Sequence, residues 1–150
     1  MQNVFDAKDA QEYINRINNL TPETQRKWGK MSVDQVLAHL NVAYDLTFTP
    51  EKFPKPSFIA KFLLSRFVKP KITNEIPYKQ SLPTSPVFII ADERNFEEEK
   101  AKLIGNIQRV QQLGREAFEG KENINFGKMT AQGWNNMFAK HLNHHLDQFG

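Results

Sequence analysis

Seven of the chain's eight prolines fall between residues 50 and 86, at positions 50, 54, 56, 70, 77, 83 and 86. Proline lacks the backbone donor and clashes with the preceding turn, so long uninterrupted helices are confined to the two flanks of this stretch. On those flanks the apolar residues recur at helical spacing. Ala10, Tyr13, Ile14 and Ile17 mark a first helix from about Asp6 to Asn18, with Asp6 as N-cap. A short helical turn is predicted at Thr21-Pro22-Glu23, where threonine caps and proline suits the first helical position. Ser32 followed by Gln35 resembles a capping box and opens a second helix, Val33 to Leu46. Its polar residues Asp34, Asn41 and Asp45 share one side, and His39 lies on the other with Val36, Ala43 and Leu46.

Beyond the prolines, Asp92 is the expected cap of a third helix whose first turns carry Glu93, Glu97, Glu98 and Glu99. Phe96, Leu103, Ile104, Ile107 and Val110 form its apolar stripe, and Gly114 is the expected stop. A last helix should follow Thr130 and run to about Phe149. These elements predict an all-α protein, a four-helix bundle in one domain over residues 1–150. Between its second and third helices sits the Pro-rich insertion, which carries an extra short helix, Ser57 to Val68.

That insertion segment is apolar almost all the way round and therefore needs something to cover it. From Lys52 to Lys79 there are seven Lys/Arg and one acidic residue, Glu75. A packed connector with solvated lysines, an active-site cover and a dimer contact all fit this pattern. A membrane-surface helix over Ser57 to Lys71 is a fourth reading.

At 150 residues and 39% hydrophobic content the chain is long enough to bury a core. It has no cysteine, which excludes disulfides, zinc-thiolate sites and thiol nucleophiles of its own. Any metal must be held by nitrogen and oxygen. The N-terminus shows no signal-peptide pattern and no apolar run reaches the ~18 residues of a membrane span, so a soluble cytoplasmic protein without stable membrane insertion is expected. Net charge is only +3, and the basic residues are not interleaved with aromatics, so nucleic acid is not an expected partner.

The chemistry-bearing residues are the histidines. Three of the four lie in the run His141-Leu142-Asn143-His144-His145-Leu146-Asp147-Gln148-Phe149-Gly150. Trp134, Phe138, His141, His145 and Phe149 recur on one helical face, whereas His144 falls to its flank. His141 and His145 are four apart, a spacing that a divalent metal ion can bridge, and His39 offers a third nitrogen from another helix. Histidines on apolar faces are also common as plain core residues, and those near a helix C-terminus are favoured by the dipole. Two buried imidazoles side by side each need a partner, however, and a divalent cation satisfies both. Three histidines leave a coordination position open, where a water or a thiol can lose its proton near neutral pH. His144 is an alternative ligand or outer partner. Gln35, one turn before His39, and Gln148, three residues after His145, are candidates to orient a ligand, although Gln35 equally serves the capping box. Asp45 and Asp147 fall away from the histidine face and Tyr44 reads as core, so no general acid or base stands out.

The C-terminal run, together with Trp28-Gly29-Lys30-Met31-Ser32, Gln35-Val36-Leu37-Ala38-His39-Leu40, Phe126-Gly127-Lys128-Met129-Thr130 and Trp134, resembles the DinB/YfiT-like metalloenzyme superfamily. It is similar in particular to a bacterial branch ending in HxxHHxxQFG, and the likeness extends over essentially the whole chain. The resemblance implies a DinB-like four-helix bundle, often homodimeric, in which His39, His141 and His145 hold a divalent metal, zinc or nickel in first place. It further implies metal-dependent transfer or isomerisation with low-molecular-weight thiols, or hydrolysis, acting on a small-molecule substrate. Many members of the branch carry a histidine and proline before the Phe-Gly motif, where this chain reads Asn123-Ile124-Asn125. Two functional classes are therefore expected: a metal-dependent hydrolase or thiol transferase, or a non-catalytic, stress-related dimer that binds metal or ligand.

Overall fold

The computed structural model describes residues 1–150. Asp6 stands in extended conformation and caps α1 (Ala7–Asn18), its carboxylate accepting from the N–H groups of Lys8 and Asp9. The stripe Ala10, Tyr13, Ile14 and Ile17 is the buried face of α1. Thr21-Pro22-Glu23 is a turn and not a helical start. The Thr24 N–H bonds to the Thr21 carbonyl, and the Thr24 hydroxyl accepts from the Thr21 N–H. The threonine side chain thus closes the loop that a helix would have continued.

Helix α2 (Val33–Phe48) buries ten of its 16 residues, which makes it the central helix, packed against both later long helices. The expected polar side is not solvated throughout. Asn41 is 1% exposed and faces α5 (Phe96–Phe118), donating to the Glu99 carbonyl and carboxylate and accepting from Asn106. Every hydrogen-bonding group of this buried amide is used, as burial requires.

The cap of α5 is Asn95, whose side-chain oxygen accepts from the Glu98 N–H at 3.1 Å, and not Asp92. Starting there puts Phe96 directly into the core, while Asp92 stays outside and pairs with Arg94. Gly114 ends the long regular helix as expected: its φ of 78° and ψ of 170° are non-helical, and after this kink a second, short helical stretch runs to Phe118. The ring of Phe118 holds this last turn down, at 5.3 Å from Phe5, 5.6 Å from Trp134 and 6.2 Å from Phe138. The small hairpin that follows, β1 (Glu122–Asn123) antiparallel to β2 (Gly127–Lys128), was not expected from the sequence. Asn123 builds its turn by accepting from the N–H groups of Asn125 and Phe126. Thr130 then caps α6 (Ala131–Asp147) through the Gly133 N–H. The protein is mostly helical, a bundle with a two-stranded appendage.

The Pro-rich insertion folds as α3 (Phe58–Leu63), a wide π turn (Leu64–Val68) and α4 (Lys69–Thr73) in unbroken succession. Pro70 has no N–H to give and crowds the carbonyl one turn back, so the turn before it widens. The extra helix therefore runs beyond Val68. Its C-terminal end is tied to α6: Asn136 donates to the Thr73 carbonyl, and the Lys140 ammonium donates to the Lys71 carbonyl and to Asn74. The near approach depends on Gly133, where a Cβ would stand 3.3 Å from the Thr73 methyl. Two lysines fasten the insertion to the hairpin, Lys61 to Glu122 and Lys69 to the Lys128 carbonyl. The insertion is thus a packed wall on its inner side. The cover that its apolar outer side calls for is not supplied within the chain: Phe58 is 88% exposed.

Candidate metal centre

His39 projects from the middle of α2 toward α6, where His141 and His145 stand one turn apart on the facing side. Ring centroids are separated by 4.8 Å between His39 and His141, 4.4 Å between His39 and His145, and 5.0 Å between His141 and His145. One donor nitrogen from each ring lies within 4.8 Å of the other two, a cluster able to hold a metal ion. His39 and His145 are buried, and His141 is half-buried at the floor of a cleft.

The hydrogen bonds around the rings assign their protons. The Nδ1 of His39 lies 2.8 Å from the Phe88 carbonyl, which can only accept, so Nδ1 carries the hydrogen and Nε2 a lone pair. The Nδ1 of His145 lies 3.0 Å from Oε1 of Gln148, while the amide nitrogen of Gln148 donates to the Trp28 carbonyl at 2.6 Å. That second bond orients the amide, which makes its oxygen the acceptor of the His145 proton and leaves Nε2 of His145 unprotonated. The Nε2 of His141 faces the Nε2 of His39 at 2.9 Å.

Gln148 reaches the Trp28 carbonyl because residue 29 is glycine. Gly29 has φ 83°, and a Cβ there would run into the Gln148 amide nitrogen. Lys27 adds a backbone bond to the Gln148 carbonyl. The two sequence runs Trp28-Gly29 and Gln148-Phe149-Gly150 are thereby two halves of one clamp behind His145.

Electrostatics keep the cluster neutral. Burial, reinforced by neighbouring imidazoles, lowers the pKa of His141 well below that of a free histidine and pushes His145 down to about 3. Burial lowers His39 as well. Neutral imidazole is the ligating form.

Of the remaining sequence candidates, His144 stays at the cleft and the others go elsewhere. His144 sits beside the cluster, half-buried between the rings of Trp28 at 6.2 Å and Tyr78 at 5.9 Å. Gln35 points away: its oxygen accepts from the Ser32 N–H and its amide donates to the Asp92 carbonyl, so it serves the helix start and the loop before α5. Asp45 pairs with Lys102 and Asp147 with Arg16, and Tyr44 is stacked on Phe138 in the core. Sequence reasoning missed the Phe88 carbonyl. No side-chain signal marks it, because a backbone oxygen from the insertion does the work.

The cleft above the histidines has a volume of about 840 Å³. Leu64, Val68 and Ile72 of the insertion form one wall, Ala43 and Leu46 of α2 another, and Asn125 and Phe126 of the hairpin lie at its edge. No Asp or Glu lines it, and Lys30 is its one Lys or Arg.

Fold and site together define a mostly helical bundle protein with a buried three-histidine cluster opening on a largely apolar cleft. The chain belongs to a protein family of unknown function, DUF1569, which matches residues 2–150. No curated protein and no solved structure matches it.

Proposed function

We propose that this protein is a divalent-metal-dependent enzyme of the DinB/YfiT-like type, a hydrolase or thiol transferase acting on a small electrophilic substrate. The observation that carries the reading is the convergence of three neutral imidazoles, two of them with Nδ1 occupied by hydrogen bonds, at the floor of a cleft large enough for a small molecule. The donor set fits a metal. Without a cation, His39 and His141 spend their Nε2 atoms on each other. With one, the Nε2 atoms of His39 and His145 are already deprotonated and aimed inward, and all-nitrogen donors suit zinc or nickel.

A divalent ion held by His39, His141 and His145 would supply Lewis acidity to a water or thiol entering from the cleft. The chain's own residues do the rest. The Phe88 carbonyl and Gln148 hold the His39 and His145 rings in their ligating tautomers, the role that outer hydrogen bonds play at metal sites. Leu64, Val68, Ile72 and Leu46 exclude water from the reacting end. The absence of carboxylates from the lining leaves a positive site unopposed, which favours an anionic nucleophile and a neutral or anionic, largely apolar substrate.

The test is metal analysis of protein purified without a metal-affinity step in metal-replete medium, followed by a thiol-plus-electrophile and ester/amide panel. About one equivalent of metal per chain is expected, lost in His39→Ala, His141→Ala and His145→Ala. Wild-type protein without stoichiometric metal overturns the proposal. A second reading, a non-catalytic metal- or ligand-binding protein, is favoured by one observation: the cleft lining offers no carboxylate as general base. Metal-dependent turnover abolished by the histidine variants rules it out.

A further inference from the structure

The outward side of the insertion helix is a large apolar surface with no partner in the chain. Phe58, Ile59, Phe62, Leu63 and Phe67 are 88%, 70%, 62%, 47% and 59% exposed. Their spacing puts them on one continuous ridge, while Leu64 and Val68 on the opposite side line the cleft. Isolated exposed apolar residues are ordinary, but five on one face mark an interaction surface.

The charges around the ridge say what kind. Of the seven Lys and Arg between positions 52 and 79, only Lys61 has a carboxylate partner, Glu122. Lys52, Lys55, Arg66 and Lys71 bracket the apolar residues without ion pairs, and the Arg66 guanidinium lies 5.6 Å from the Phe67 ring. Between residues 52 and 74 there is no acidic side chain at all. Two-fold pairing with a second copy through this ridge would set its cations against one another with nothing to answer them. An anionic surface answers them, and an apolar layer beneath that surface accepts the phenylalanines.

We propose that this ridge docks on an anionic lipid bilayer, with Phe58, Phe62 and Phe67 at the headgroup–acyl boundary and the flanking Lys and Arg on headgroup phosphates. This is the pattern of an interfacial helix, whose long basic side chains reach up to the phosphates while their stems cover apolar surface. No helix is long and apolar enough to cross a membrane, so the contact is peripheral. The insertion then stands between bilayer and cleft. The inference rests on exposure and charge, independently of the histidine cluster.

The experiment is co-sedimentation of the full chain with vesicles of phosphatidylcholine alone or mixed with phosphatidylglycerol, at low and physiological salt. Binding is expected only to the anionic vesicles, weakened by salt. Phe58→Ser with Phe62→Ser should lower the partition coefficient by about tenfold or more, because each ring leaves its apolar contact. Lys55→Glu with Arg66→Glu should abolish the preference for anionic lipid. Far-ultraviolet circular dichroism checks that these surface variants stay folded. Wild-type protein that remains in the supernatant with anionic vesicles overturns the proposal, as do variants that bind like wild type. So does a wild-type dimer, seen by sedimentation velocity, that the serine pair splits into monomers, since the ridge is then covered by a second copy.

Discussion

The histidine wall between α2 and α6 and the insertion of α3 and α4 are both apolar, but they use that character in opposite ways. In the wall, large side chains are fully enclosed and no fully buried side-chain nitrogen or oxygen is left unpaired: the core holds Trp134, Phe138 and Leu40 at 1% exposure or less. The insertion turns one apolar face to the cleft and the other outward, and it is fastened by a few polar ties along its length. Stability therefore resides in the wall, whereas the insertion shapes what reaches the histidines. Its one intimate contribution is the Phe88 carbonyl on His39.

The comparison breaks first on acid. The folded pKa of His145 is depressed, so the unfolded chain binds more protons on the acid side. Its stabilising share is fully present above the ordinary histidine pKa of 6.5 and is lost as pH falls from there toward about 3. Metal-free protein should lose stability on the order of 1 kcal/mol per pH unit across that window, with the depressed His39 and His141 acting in the same direction as His145. Urea midpoints measured against pH check this, and a flat profile would mean that the cluster is hydrated.

Truncation separates the two regions next. Trp134→Ala should cost about 3–5 kcal/mol in chemical denaturation, whereas Phe62→Ala in the insertion should stay within about 0.5 kcal/mol. Comparable losses would show that the insertion is part of the same cooperative core. The clamp behind His145 comes third. Gln148→Ala is expected to weaken metal binding by roughly 10–100-fold, read by competition with a chromogenic chelator, because His145 loses the bond that sets its tautomer. Gly29→Ala should act in the same direction and also destabilise by about 1 kcal/mol, through its positive φ and the crowding of Gln148. Smallest is Lys61→Met. Its ion pair with Glu122 is exposed and screened by water, so the thermal midpoint should barely move.

Much of this molecule was legible in the residues themselves. Apolar spacing marked α1, α2 and α6, the caps Asp6 and Thr130 lie where local chemistry puts them, and four-residue spacing set His141 and His145 on one face. These are local properties, set by backbone geometry and hydrogen bonds within a turn. Where two local signals competed, sequence reading chose wrongly. Asp92 and Asn95 both suit a cap, and the burial of Phe96 decides for Asn95. Gly114, by contrast, breaks the helix where its residue type predicts, and the packing of Phe118 seats the short helical stretch that follows it.

Gln35 and Gln148 make the same point at the site. Both are glutamines within a turn of a histidine, yet Gln35 is consumed by the Ser32 N–H and the Asp92 carbonyl, while Gln148 meets His145 because Gly29 leaves it room. By itself the sequence determined which stretches are helical and which faces of α2 and α6 carry imidazoles, since those follow from periodicities of a few residues. Only the tertiary structure decided that His39 meets His141 and His145, that a backbone carbonyl of the insertion holds His39, and that the insertion leaves its phenylalanine ridge outside. Contacts between segments far apart in the chain depend on how helices pack, and no local spacing records that.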